Sequence, residues 1–196
     1  VYVDSLITKM ESEKESQDKI RLLKQISGIY LETRDYTNFK KYVDLGMEIS
    51  IEEQDFDDEL HFMSLYADYF YYNMQFEKSI QMQNSIVSAA ERINDEHFKA
   101  SAYQGLLKNY WRKGQYNKAV YYGTEAVKLF EALNDTLNTI LTKGNLGIIY
   151  IDIGNFDKAE LIFEEQQIYY SSVGDKSSLA NTYEKIGAIK FFKGYY

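Results

Sequence analysis

Aromatic residues recur through this chain at a fixed interval. Tyr36, Phe76, Tyr116, Phe156 and Tyr196 follow one another at a constant step, and the first four come directly after Asp35, Gln75, Gln115 and Asn155. Asp55, Asp95, Asp135 and Asp175 keep the same step, and so do Tyr30, Phe70, Tyr110 and Tyr150. Three markers with one period and no slippage define an array of like units. A unit of that size cannot bury all its own apolar surface, so neighbours must stack.

Each unit reads as two helices. Leu106, Leu107 and Tyr110 make one apolar stripe, which the next unit repeats as Leu146, Gly147 and Tyr150. Gly114 and Gly154 fall where a glycine ends a helix. A second helix then carries Ala119, Gly123 and Ala126 in one unit and Ala159 and Phe163 in the next. The small residues Ala119, Gly147, Ala159 and Gly187 suit close helix crossings, with Tyr110 and Tyr150 expected to be mostly buried. Asp135 with Thr136, and Asp175 with Ser177, can cap the following helices. No segment alternates with period two, and the chain has no proline and 19 tyrosines, which suits long helices with aromatic packing. The expected fold is all-α: a right-handed superhelical solenoid of antiparallel helix pairs, nine to ten helices in all. It is expected to form one domain over 1–196, with a leading helix in 1–15, repeats at 16–55, 56–95, 96–135 and 136–175, and a partial repeat at 176–196.

Charge narrows the function classes. With 22 basic and 30 acidic side chains the net charge is −8. Residues 1–98 hold 10 basic and 20 acidic side chains, a net of −10, whereas 99–196 hold 12 and 10, a net of +2. That balance argues against nucleic-acid binding through this domain. No run approaches the roughly 18 apolar residues that would span a bilayer, so no membrane contact through this domain is expected. The acids peak at Glu48, Glu52, Glu53, Asp55, Asp57, Asp58 and Glu59, read as a solvated turn between helices. The chain opens on Val1, which reads as a piece of a longer protein, and its compartment stays open between cytoplasm and periplasm.

Catalytic chemistry has little to stand on. Without cysteine there is no thiolate zinc site and no cysteine nucleophile. The two histidines, His61 and His97, sit in no His-Glu-x-x-His pattern. Glu59 and His61 beside Asp57 and Asp58 could hold a cation loosely; the plainer reading is an exposed histidine beside acidic turn residues. No nucleophile-elbow or phosphate-cradling glycine loop is present. No catalytic residue, no metal and no cofactor is assigned, and an attached catalytic module outside this segment stays open.

Leu146-Gly147-x-x-Tyr150, then Gly154-Asn155-Phe156, then Ala159-x-x-x-Phe163 resembles the tetratricopeptide repeat. The match is best at 96–135 and 136–175, weaker at 56–95, and weakest at 16–55, where Phe39 replaces the small residue. The period is longer than the family's usual length of about 34 residues, and the proline that often ends a unit is absent. The longer units look like those of kinesin light chain and of Rap-type bacterial peptide receptors. The opening Asp4-Ser5-Leu6 and Asp18-Lys19-Ile20-Arg21-Leu22-Leu23 look like the start of bacterial repeat regions attached to sensor kinases or transcription factors.

The resemblance implies a non-catalytic module that binds a protein or peptide in its concave groove. The alternative it implies is a ligand-sensing regulatory region of a bacterial sensor kinase or transcription regulator. A phosphatase-like activity rests only on the likeness to Rap-type proteins. The expected groove residues are Ser64, Asp68, Tyr71, Tyr72, Gln104, Lys108, Trp111, Arg112, Ile148 and Asp152. Gln104, Lys108, Trp111 and Arg112 share a helical face separate from the Leu106/Leu107/Tyr110 stripe, and Trp111 is the sole tryptophan. Trp111 is either a peptide anchor, with acidic or C-terminal groups directed at Lys108 and Arg112, or a packing residue. The family's carboxylate clamp would need an asparagine where Gly28 follows Lys24, which disfavours chaperone tails. Ile186, Ile189, Phe191 and Phe192 are expected to form an uncovered apolar face, making 186–192 a candidate self-association surface.

Overall fold

A computed structural model describes residues 2–194; the Tyr195-Tyr196 end of the repeat pattern lies outside them. Within that range the chain forms ten helices and no strand. They are α1 (Tyr2–Ser12), α2 (Ser16–Glu32), α3 (Tyr36–Glu52), α4 (Phe56–Tyr72), α5 (Phe76–Ile93), α6 (Glu96–Arg112), α7 (Tyr116–Ala132), α8 (Thr136–Asp152), α9 (Phe156–Val173) and α10 (Lys176–Phe192). From α2 onward the helix starts are evenly spaced, at 16, 36, 56, 76 and so on to 176, so each repeat divides into equal halves. The even-numbered helices from α2 are the A helices of each pair, and their partners α3, α5, α7 and α9 are the B helices.

The turns explain that regularity. Residues 34, 54, 74, 94, 114, 134, 154, 174 and 194 all have positive φ, between 57° and 80°. Each is a single left-handed residue past a helix end, closed by a backbone bond such as Asp35 N–H to Tyr30 C=O at 3.0 Å or Gln115 N–H to Tyr110 C=O at 2.9 Å. The next residue caps the following helix. Asp35, Asp55, Asp95, Asp135 and Asp175 accept bonds from backbone N–H groups in the first turn. Only 114, 154, 174 and 194 are glycine; Arg34, Gln54 and Met74 adopt the same backbone at a steric cost.

The chain divides into two compact units, 1–94 and 95–196. In the first, Ile20, Leu23, Ile26, Phe39, Val43 and Phe62 form a buried core. In the second, Leu107, Ala119, Leu146 and Ile149 form one cluster, and Ala159, Phe163, Ile186 and Ile189 form another. Inside each unit successive A helices touch, α2 with α4 and α6 with α8. Side chains at a constant sequence separation join them: Gln17 to Asp55 at 3.0 Å, His97 to Asp135 at 3.3 Å, and Gln104 to Thr142 at 2.7 Å. Within each unit the A helices therefore meet side by side on one wall.

Several expectations need correction. Tyr110 and Tyr150 are half-buried, because Lys118 and Lys158 lie over their outer faces at 5.0 and 5.2 Å; Lys78 does the same to Phe70 at 5.5 Å. Asp58, in the acidic run, is buried and paired with Lys24 rather than solvated. Ile186 and Ile189 do not form an uncovered face, since they pack on Ala159 and Phe163 of the preceding helix. Phe191 and Phe192 are exposed, and Phe192 stacks on Phe156 at 5.5 Å.

Gly147 and Gly187 occupy the same place in successive A helices and answer a substitution oppositely. A Cβ on Gly147 would come within 2.9 Å of the Phe163 ring, whereas on Gly187 it meets nothing within 4 Å. Gly147→Ala should therefore lower stability by about 1–3 kcal/mol. Gly187→Ala should raise it by about 0.5–1 kcal/mol through helix propensity alone. Urea unfolding of the two variants tests the pair, and equal shifts would contradict the assigned crossing.

Candidate functional site

The expected groove residues divide between the two units. In the first, α4 carries Ser64, Asp68, Tyr71 and Tyr72. The Ser64 hydroxyl donates back to Leu60 C=O at 2.9 Å, so it serves its own helix. Tyr71 meets the rings of Tyr72 and Phe76 at 5.6 and 5.9 Å. Partial burial and the nearby Asp68 carboxylate push the Tyr72 phenol above its ordinary range.

In the second unit the structure brings the remaining residues onto the A-helix wall. Gln104 on α6 donates to Thr142 on α8, and the Trp111 indole N–H donates to the Asp152 carboxylate at 2.6 Å. Trp111 also packs on the Leu107–Leu146 cluster. Its polar edge thus joins two helices, leaving part of the ring for other contacts. Lys108 is half-buried and Arg112 exposed on the same helix.

Ile148 lies one opening further along, in a pocket of about 180 Å³ between α8 and α10 with α9 behind it. The Gln166 side chain forms the floor, donating to Ile140 C=O at 2.9 Å. Gly144 permits this, since a Cβ there would overlap the Gln166 amide at 2.2 Å. The mouth carries Asn145, Asn181 and Lys185. The two asparagine amides make no hydrogen bond among the described residues, while Lys185 pairs with Glu184 at 3.2 Å. A pocket with an apolar wall and open amides can accept a peptide backbone and a small apolar side chain.

Asn145, Asn181 and Lys185 are absent from the groove residues expected above. Their signal is positional: 145 and 185 are the same repeat position, and 141 and 181 another. One step earlier, on α6 and α8, the same pair of positions holds Gly105 and Leu141, so the polar pair appears only when successive A helices are aligned.

Among the described residues no group of three His, Asp or Glu side chains could hold a metal ion, and no helix is long and apolar enough to cross a membrane. His61 is half-buried rather than exposed. Burial holds its imidazole below the ordinary value of 6.5; Lys24 acts in the same direction and Asp58 opposes them.

Known structures share this fold. BtubC from P. vanneervenii superposes with a TM-score of 0.83 at 15% identity, over 98% of this chain and 80% of that one. A signal-transduction ATPase with numerous domains from Pyrococcus horikoshii, which has a tetratricopeptide repeat sensor, gives 0.81 at 14% identity, over 96% of this chain and 30% of that one. The fold is a tetratricopeptide-like solenoid. A Rap protein complexed with competence and sporulation factor gives 0.75 at 16% identity, over 96% of this chain and 58% of that one. The chain therefore spans about a third of the ATPase and somewhat over half of the Rap protein. No protein-family model matches the sequence, and neither does any curated protein.

The His61 environment sets a pH dependence for the solenoid. Its folded pKa lies below the unfolded one, so the unfolded chain binds more protons as the pH falls. Stability should be level above about pH 7 and decline as the pH drops through 6.5. His61→Gln should remove that decline. Asp35, Asp135 and Asp175, whose carboxyls are held below 3.8 by hydrogen bonds to Asn38, Asn138 and Ser178, should cause a separate loss below about pH 4. Urea midpoints at pH 8, 6 and 5 check the first decline, and a parallel curve for His61→Gln would refute its assignment.

Proposed function

We propose that this chain is a non-catalytic binding module that takes an extended protein or peptide segment along the A-helix wall. The carrying observation is the α8–α10 pocket, where the uncommitted Asn145 and Asn181 amides flank Ile148. Paired amides on successive A helices suit a peptide backbone, which offers donors and acceptors at regular intervals. Trp111 contributes an apolar ring on the same wall, and Lys108 and Arg112 supply positive charge for an acidic or C-terminal group. On α4 of the other unit, Asp68, Tyr71 and Tyr72 form a second stripe with aromatic and acidic character.

A second reading is a ligand-sensing region of a bacterial regulatory protein, such as a sensor kinase or transcription regulator. It draws on two of the neighbours, one with a tetratricopeptide repeat sensor and the other complexed with a factor. The sensing reading adds one requirement: binding must alter the helix array as well as occupy it. Hydrogen exchange that slows only at the pocket supports simple binding, while changes spread through α6–α10 support sensing.

A displayed library of random dodecapeptides, selected on the immobilised chain, provides the test. Trp111 is the only tryptophan and is bonded to Asp152 of α8, so its emission reports a segment that runs from the pocket along the A-helix wall. The best selected peptide should shift that emission, and Asn145→Ala with Asn181→Ala should weaken it about tenfold or more while helicity stays unchanged. Undiminished affinity in the double variant, or a library that yields no binder, would rule out this site.

A further inference from the structure

One unit departs from its own repeat at two facing positions. Ile49, Leu129 and Tyr169 occupy equivalent places near the ends of α3, α7 and α9, each half-buried; in α5 the residue is Ala89. Opposite it, the other A helices begin with Ser16, Glu96, Thr136 and Lys176, whereas α4 begins with Phe56. The Phe56 ring is 58% exposed. The filling side chain is missing where an apolar wall has been added. Between them lies an open cavity of about 410 Å³, lined by Phe56, Glu59, Leu60, Ala89, Arg92 and Ile93.

We propose that this cavity is a ligand site for a small amphipathic molecule with an aromatic or branched-aliphatic body and a head that is neutral overall. Four features of the site lead there. The repeat itself states the chemistry of the place, since the other units fill it with isoleucine, leucine or tyrosine. The volume falls in the range of small-molecule pockets, roughly 300–1,000 Å³, and exceeds what one inserted side chain would fill. Glu59 and Arg92 supply one charge of each sign, which disfavours a strongly charged head of either kind. An occupant would also remove the exposed Phe56 ring from water.

The site lies wholly in the 1–94 unit, so its fate is independent of the α8–α10 pocket. N-phenyl-1-naphthylamine, a neutral aromatic probe whose fluorescence rises on apolar burial, tests it directly. The parent chain should bind one equivalent saturably. Ala89→Leu, which restores the residue type found at Leu129, should weaken the probe about tenfold or more and leave the fold intact. Phe56→Ser, which copies Ser16 at an exposed position and spares the core, should weaken it several-fold. Asn145→Ala with Asn181→Ala should leave it unchanged. Absence of saturable binding by the parent, or parent-like binding by both Ala89→Leu and Phe56→Ser, would overturn the proposal.

Discussion

The solenoid depends on a helix-plus-turn unit of constant length. From α2 onward each helix runs to one left-handed residue, preceded by a separate capping residue except after α5 and α9, and then to the residue at the next helix's cap, so the helix starts keep one even spacing from Ser16 to Lys176. Because the count never varies, every helix of one kind presents the same face to the same neighbour. A single added residue would rotate the following helix by about 100°, from 3.6 residues per turn, and turn its apolar stripe out of the core. The chain tolerates left-handed Arg34, Gln54 and Met74 where glycine would be easier, which shows that register outweighs local comfort.

Given that register, the crossings sort residues by size. Gly147 admits the Phe163 ring, and Gly123 admits Leu107 and Leu146. Where an aromatic residue must stay half-exposed, as at Phe70, Tyr110 and Tyr150, the lysine at the third position of the next helix covers it. The aromatic content of the chain is thus largely structural: Tyr30 on Tyr42 and Tyr110 on Tyr122 are the same stacked pair, two repeats apart, at 5.6 and 5.4 Å.

The period and the helix-pair architecture were legible because their markers, Asp55 to Asp175 and Tyr30 to Tyr150, serve one structural role at each step. The half-period was not, because four glycines and five other residues share the left-handed place, and no residue type announces a backbone angle that arginine and methionine also adopt. Reading Ile186, Ile189, Phe191 and Phe192 as one face failed for a different reason. A helix in an array has two neighbours, and the apolar stripe of α10 turns toward the one that precedes it. Trp111 was visible as a singular residue; its bond to Asp152 was not, because that carboxylate sits one position beyond the repeat equivalent of Trp111, which is Ile151. Asn145 and Asn181 were missed because neither belongs to any spaced motif.

Repeating and departing positions answer to different demands. Positions that repeat are occupied by the demands of the fold, and a mutation there is felt through packing. Positions where one unit differs from its neighbours are released from those demands, and the released positions are where ligand chemistry can accumulate. Ile148 between two open amides is such a place, because Gly105 and Leu141, the same two positions on α6 and α8, offer no such pair. Ala89 facing Phe56 is another, with the sense reversed: a filler withdrawn and an apolar wall exposed. In a chain whose fold is written by repetition, the departures from the repeat are the most informative residues about what it binds.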